Sequence, residues 1–267
     1  MNESFFQIKG AIPDVAPDVI FTLFGWPISN SALAIFLILI SVALFSFLVV
    51  RKFKLIPTGK LQHAVEMFYE GMVSLIVQIA GTRKKAEDIL PIIASLFVFV
   101  GLANLFSFIP GISSVTFGGT PVFRTPTSDF NTTFSMALAM IVFIQFAAIR
   151  RSGLFQYFGR FFQFKKVFLG FKKSVGEGFL ALIEFFVGLL DIISELAKIL
   201  SLSLRLFGNI YAGEVLLVVM FAGLAFLLPS VWMSLSLFFG LIQAVVFGAL
   251  AAAYYASAIE EDEPVAE

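Results

Sequence analysis

The chain has 267 residues, 59% hydrophobic and 13% charged, with 18 basic side chains balancing 18 acidic ones. Soluble domains are about 25% charged and about 45–50% apolar, so a water-soluble globule is excluded. Zero net charge without a separate basic domain gives nucleic acid nothing to bind, and the absence of cysteine removes disulfides, thiolate metal sites and thiol redox chemistry.

Residues 19–50, 89–123, 130–149 and 215–259 contain no Asp, Glu, Lys or Arg. A spanning helix needs about 20 mostly apolar residues, whereas a β-barrel would show short alternating segments. The expected fold is all-α: a polytopic membrane protein in a single membrane domain. Met1 to Asp18 lacks the charged start and cleavage site of a signal peptide and reads as a short tail. The first span covers 29–50, ends at Arg51, Lys52 and Lys54, and breaks at Pro57. Residues 60–80 set Lys60, His63, Glu66 and Glu70 among Leu61, Val65, Phe68, Met72 and Ile76. That mixture predicts an amphipathic helix at the interface, with His63 a solvated surface histidine.

After Arg83, Lys84 and Lys85, the second span runs over 89–109 and closes at Pro110 and Gly111. The third covers 130–149, with Thr127, Ser128 or Asp129 as its cap. Asn131-Thr-Thr fits a glycosylation pattern but falls at the start of this span, so it reads as a helix start. Residues 151–176 are basic, with Arg151, Arg160, Lys165, Lys166, Lys172 and Lys173, while the loop 110–129 holds only Arg124. The positive-inside rule puts the basic loops in the cytoplasm and the N-terminus outside. Residues 177–259 then form a hairpin turning near Pro229, which brings the acidic tail Glu260 to Glu263 back inside. The total is five crossings plus one interfacial helix.

The first arm of the hairpin, helical from Glu177 to about Phe226, would extend roughly 75 Å against a hydrocarbon core of about 30 Å. It must tilt steeply, lie nearly in the membrane plane, or break at Gly208 or Gly213. At about 100° per residue, Glu177, Glu184, Asp191, Glu195, Lys198, Arg205 and Asn209 fall within roughly 80° of one face. Charges in water explain such a stripe near the surface, at Glu177 and Glu184. From Asp191 onward the stripe is at membrane depth, where ionisable groups mark ion pathways. Spacings of three and four residues let Asp191, Glu195 and Lys198 pair locally.

Arg205 stands out, because a guanidinium cannot lose its proton to escape the cost of burial. Glu214 points roughly 140° from Asn209 on the same wheel, so acidic groups flank Arg205 on different faces and at different depths. Two separate aqueous passages with a fixed cation between them would need that arrangement. On the second arm Gln243 is the only strongly polar side chain between Ser236 and Tyr254. A hairpin closing near Pro229 places it opposite residues around 215, either as helix–helix glue or as part of the site.

These residues carry a resemblance. Ser-Leu-Arg-Leu-Phe-Gly-Asn-Ile-Tyr-Ala-Gly-Glu at 203–214 resembles the signature of subunit a of the F-type ATP synthase membrane sector. Pro-Thr-Ser-Asp-Phe-Asn-Thr-Thr at 126–133, Gly-Leu-Ile-Gln-Ala at 240–244 and Tyr-Tyr-Ala-Ser-Ala-Ile-Glu-Glu at 254–261 support it. The likeness runs from about residue 90 to 261 and implies a stator beside a rotating ring of c subunits, each with one membrane-embedded carboxyl group. It implies that Arg205 attracts and ionises the passing carboxyl, with Glu214 and Gln243 in the surroundings. Protons enter by one half-channel, ride the ring and leave by the other. Asp191, Lys198 and Ser201 match positions on the cytoplasmic side of the family's tilted helix, and Asn209 also matches. Some members carry a histidine or acidic residue where Ser236 stands here, which leaves the outer path to Glu214 and water. Peripheral-stalk b subunits, an indirectly coupled soluble ATPase head and a bacterial inner membrane are implied as well, with no cofactor and no catalysis by this chain itself.

A fixed cation between half-channels also makes physical sense. It lowers the pKa of a neighbouring carboxyl and repels a proton attempting a direct crossing. Lysine would serve poorly, because a desolvated lysine can become neutral. The alternative is a secondary transporter or ion channel with an intramembrane charged site, but such transporters often repeat internally and no repeat is found. One histidine and no cysteine leave little to ligate haem in a respiratory subunit, and no Walker loop, His-Glu-x-x-His or Gly-x-Ser-x-Gly is present.

Overall fold

The computed structural model describes residues 14–54, 59–109, 112, 115–161, 164–223 and 227–260. Residues 1–13 of the expected tail, the breaks at Pro57, Pro110 and Gly111, and the acidic Glu261, Asp262 and Glu263 lie outside the described residues. Eight helices follow one another among those described: α1 (Asn30–Val50), α2 (Lys60–Ala80), α3 (Arg83–Phe106), α4 (Phe130–Ser152), α5 (Leu154–Phe161), α6 (Phe164–Lys173), α7 (Val175–Gly223) and α8 (Leu227–Glu260). By length and composition α1, α3, α4 and α8 can each cross a membrane. The protein is a polytopic helical membrane protein.

Two small hairpins depart from the all-α expectation. β1 (Val19–Leu23) pairs antiparallel with β2 (Trp26–Ser29), and β3 (Thr116–Phe117) with β4 (Thr120–Pro121). The first turns at Phe24 and Gly25, both at positive φ, as a tight hairpin turn requires. Its base is tied to α1 where the Asn30 amide donates to the Asp18 carbonyl at 3.0 Å. In the sequence these strands merge into the uncharged run that continues into α1, so no charge marks their boundary.

Inside a bilayer, apolar burial gives helices no reason to associate, so close packing and internal hydrogen bonds take over. Helix α8 presents small residues at helical spacing, Gly240, Ala244, Gly248, Ala251 and Ala252, and packs on α3. A Cβ at Gly240 would lie 3.1 Å from Asn104 Cβ, and one at Gly248 3.2 Å from Ile93 Cγ2; only glycine lets the two helices come this near. Around the contact, Ile76, Ile93, Val100, Ile144, Leu206 and Phe247 are buried. The outward faces are equally apolar: α1 exposes Phe36, Ile40, Leu44 and Phe47, a lipid-facing stripe.

Helix α2 buries Met72, Val73, Ile76 and Ala80 against α3 and α8, while Leu61, Met67 and Tyr69 remain exposed. Gln62 fastens its start by donating to the Lys54 carbonyl at 2.8 Å and accepting from the Lys54 amide at 3.3 Å. The basic stretch after α4 forms two short helices rather than a loop. Tyr157 and Phe161 of α5 pack on Ala148, and α6 lies along the start of α7.

Helix α7 is unbroken for 49 residues, about 74 Å, and passes Gly208 and Gly213 without interruption. It ends at Gly223, and α8 begins at Leu227, two residues before Pro229. Pro229 occupies the first turn of α8, where an amide hydrogen would have no partner within the helix.

Of the three cap candidates for α4, Asp129 is the one that acts. Its side chain accepts from the Asn131 amide at 2.9 Å and from the Ser31 hydroxyl of α1 at 2.6 Å, while Thr127 and Ser128 sit in a 3-10 turn. Asp129→Ala removes both bonds and leaves the buried Ser31 hydroxyl with the Ser29 hydroxyl alone, at 3.0 Å. A loss of about 1–3 kcal/mol is expected, seen as a lower melting temperature of the assembled complex. Asp129→Asn, which keeps an acceptor, should lose less.

Candidate functional site

Arg205 lies on the outward face of α7 and is exposed. Among the described residues it has no ion pair, and no hydrogen bond holds its guanidinium. Ser201, one turn earlier, is exposed beside it, and the exposed Ile193, Leu196, Leu200 and Leu204 continue the outward side roughly 100–180° round the helix. The guanidinium thus stands at the edge of an apolar surface, without a partner among the described residues.

One turn on, Asn209 reaches across the hairpin and donates to Gln243 Oε1 at 2.7 Å. Gln243 is 3% exposed, and its Nε2 has no hydrogen-bond partner. Nearby, Asn104 of α3 donates to the Gly240 carbonyl at 2.9 Å and accepts from the Thr127 hydroxyl at 2.7 Å. This joins α3, α8 and the loop before α4 at one buried crossing.

A cavity of about 820 Å³ opens beside this crossing. Asn209, Gln243, Glu214, Ser236, Asp18 and Arg124 are among its lining residues, with Asn30 at the start of α1. The Glu214 carboxyl lies near the Thr125 and Ser128 hydroxyls and the Arg124 charge. Trp232 closes one side by donating its indole N–H to the Gly213 carbonyl at 3.0 Å.

On the other side of Arg205, toward the start of α7, a second polar group lies between helices. Glu195 takes a hydrogen bond from Gln145 Nε2 of α4 at 2.6 Å and pairs with Lys198 at 2.7 Å. Tyr157 of α5 donates to Gln145 Oε1 at 2.7 Å, and Lys198 lies 5.3 Å from the centre of the Tyr254 ring. Asp191 is half-buried one turn before Glu195. Glu184 and Glu177 are exposed, with Glu177 3.7 Å from Lys173. Asp191, Glu195 and Lys198 are therefore partly buried, while Glu177 and Glu184 are exposed.

Gln243 meets Asn209 rather than residues around 215. Because α8 already begins at Leu227 and includes Pro229, the pairing is shifted along α7 by about six residues. Sequence reasoning did not pick out Asn104, Gln145, Tyr157, Asn30 or the roles of Asp18 and Arg124. Two signals were there to use: Gln145 is the one amide in the middle of α4, and Arg124 the one cation between α3 and α4.

Fold and site together define a helical membrane protein with an exposed arginine on a long helix, a largely apolar cavity holding a few polar and charged groups on one side, and an ion-paired cluster on the other. A sequence model of the family described as ATP synthase A chain matches residues 32–256, and the chain belongs to that family. It is similar to ATP synthase subunit a of Moorella thermoacetica, 35% identical over 91% of this chain and 96% of that protein. The like-named protein of Campylobacter hominis is 31% identical over 91% and 95%, and that of Campylobacter curvus 33% over 85% and 89%. The family is one of membrane proteins of proton transport in ATP synthesis.

Gln145→Leu would strip Glu195 of one donor and free α5 from α4. A stability loss of about 1–3 kcal/mol is expected, with faster amide exchange confined to Leu154–Phe161 and its contacts. Uniform exchange across the chain would show that Gln145 is not the tie.

Proposed function

We propose that this chain is the stator of a rotary ATP synthase, with Arg205 the fixed charge facing a ring of c subunits and two half-channels meeting there. The observation that carries the reading is the exposed, unpartnered guanidinium of Arg205 on an apolar helix face. A charge at membrane depth is costly unless it meets water or an opposite charge. A carboxylate on a neighbouring ring subunit supplies that charge, and the surrounding leucines and isoleucines supply an apolar docking surface for the ring helices.

The cavity reaching Asn209 and Gln243 supports an access path from one side, through Ser236 and Glu214. Asp191, Glu195, Lys198 and Ser201 line the route toward the opposite side. A ring carboxyl arriving protonated meets Arg205, is held as the anion, releases its proton to one path and regains one from the other. Arg205 keeps the paths apart, because a proton crossing directly would pass a permanent cation.

In this reading α7 is the fifth crossing, tilted, and α2 lies at the interface. The N-terminal hairpin is outside, and the basic ends of α1, α4 and α6 are cytoplasmic. The membrane is a bacterial inner membrane, with b subunits of the peripheral stalk as further partners and ATP chemistry on the soluble head. Lone polar amides in the other helices serve packing, which favours this reading over a transporter with a substrate site of its own.

Arg205→Ala, assembled with the partner subunits in sealed vesicles, should lose ATP-driven proton pumping by at least tenfold while assembly persists. With the soluble head removed, passive proton leak under an imposed potential should persist or rise. Arg205→Lys should also pump poorly. Pumping at wild-type rates in Arg205→Ala would return the transporter reading.

A further inference from the structure

The cavity beside Gln243 ends at a piece of chain that no motif singled out. Residues 14–18 run across the end of the cavity farthest from Arg205, just before β1. One side chain holds them there. Arg124 donates to the Asp14 carbonyl at 2.6 Å and to the Ala16 carbonyl at 2.8 Å. The same guanidinium is anchored to the turn before α4 through the Ser128 hydroxyl and carbonyl, both at 3.2 Å. Four donor contacts from one planar group make a clamp that the single ammonium of lysine cannot reproduce. The far end of the strap is fixed by Asn30 of α1, whose backbone amide donates to the Asp18 carbonyl at 3.0 Å and whose side chain donates to Asp18 Oδ2 at 3.4 Å.

We propose that this strap forms the mouth of the proton inlet, with Asp18 as its proton-collecting carboxylate and Arg124 as the residue that positions it. The proposal rests on the stator reading above, in which the cavity is the outer path.

Charge supports the direction of traffic. Three carboxylates line the cavity, Asp14, Asp18 and Glu214, against the single cation Arg124. A cleft with an excess of one sign focuses the field and raises the arrival rate of the opposite charge by about 10–10³-fold. The carboxylates are also distributed in depth: Asp14 and Asp18 at the end, Glu214 midway beside Arg124. At the deep end stands Gln243, buried, with an unused donor. Such an orphan donor points to a guest in the cavity, since buried polar groups are otherwise paired.

The volume is ample for water, so the proton steps are simple. Asp18 takes a proton from bulk water and yields it to water within the cavity, which returns the carboxylate. The proton passes Glu214 and reaches the ring carboxyl opposite Asn209 and Gln243. No electron moves and no covalent bond between heavy atoms changes. Ser236 offers this wall no titratable group, and the strap supplies one in Asp18.

The test uses the whole complex in vesicles with the outer face toward the bath and the soluble head removed. Passive proton conduction is followed under a potassium diffusion potential as outer pH and salt are varied. For Asp18→Asn, conduction at outer pH 8 and low salt should fall about 3–10-fold, with the gap closing as salt screens the mouth. Asp18→Glu should restore most of the loss. A purely structural role for Asp18 predicts a salt-independent effect, or none, and either would overturn the proposal.

The strap is tested by labelling. The chain contains no cysteine, so Ser236→Cys supplies its only thiol. Adding Arg124→Ala should speed labelling of that thiol by a bulky, impermeant reagent from the outside several-fold, and conduction should show the Asp18→Asn defect. Unchanged labelling sinks the strap. Normal pumping in Arg205→Ala would sink the stator reading instead, so the two failures are distinguishable.

Discussion

A polar group carried into a bilayer must find its partner within the protein, because lipid offers none. Most of this architecture follows from meeting that condition one group at a time. Asn104 is satisfied by a carbonyl of α8 and a hydroxyl from the loop before α4. Asp129 takes up the start of its own helix and a hydroxyl of α1. Gln145 stands between Tyr157 and Glu195, and Glu195 in turn holds Lys198. Most of these bonds cross between elements, so satisfying the groups goes far toward assembling the helices. Among the described residues the buried Gln243 amide nitrogen and the exposed Arg205 guanidinium have no such partner. Asn209, which bonds Gln243, lies one turn from Arg205 on α7.

Small residues make this economy possible. Gly240 and Gly248 bring α8 against α3 so closely that the Gly240 carbonyl comes within reach of the Asn104 amide. That contact fixes one wall of the cavity. The other wall is α7, held at the correct height by Trp232 on the Gly213 carbonyl and by Asn209 on Gln243. The hydrophobic cluster around Phe247 and Leu206 fills the space between. Its substance is shape rather than water exclusion, since the alternative surroundings of these side chains are equally apolar.

Much of this was legible in the sequence. Uninterrupted apolar runs marked the helices that became α1, α3, α4 and α8, and the interspersed charges of 60–80 marked α2. The motif around Arg205 falls within the helix that became α7. What could not be read depended on distance. Whether Gln145 ties helices or merely sits in one cannot be told until Tyr157 and Glu195 are beside it. A proline was taken as the turn, although proline is equally at home in a first helical turn, and that choice moved the Gln243 partner by about six residues. The N-terminal strands were hidden because their residues are as apolar as the span they precede. The strap over the cavity is held largely by backbone carbonyls, which leave no trace in residue types.

The outward face of α7 has one more consequence. Ile193, Leu196, Leu200 and Leu204 make no directional bonds, and whatever slides past them exchanges one dispersion contact for another at about 0.1–0.2 kcal/mol per atom pair. Such a face behaves as a bearing. Had it carried a row of serines or amides, every step of a moving neighbour would break and remake hydrogen bonds, and friction would rise with each. On the proposed reading, a charge at the edge of so level a background acts as a detent, and its place along the helix sets where a moving neighbour would pause.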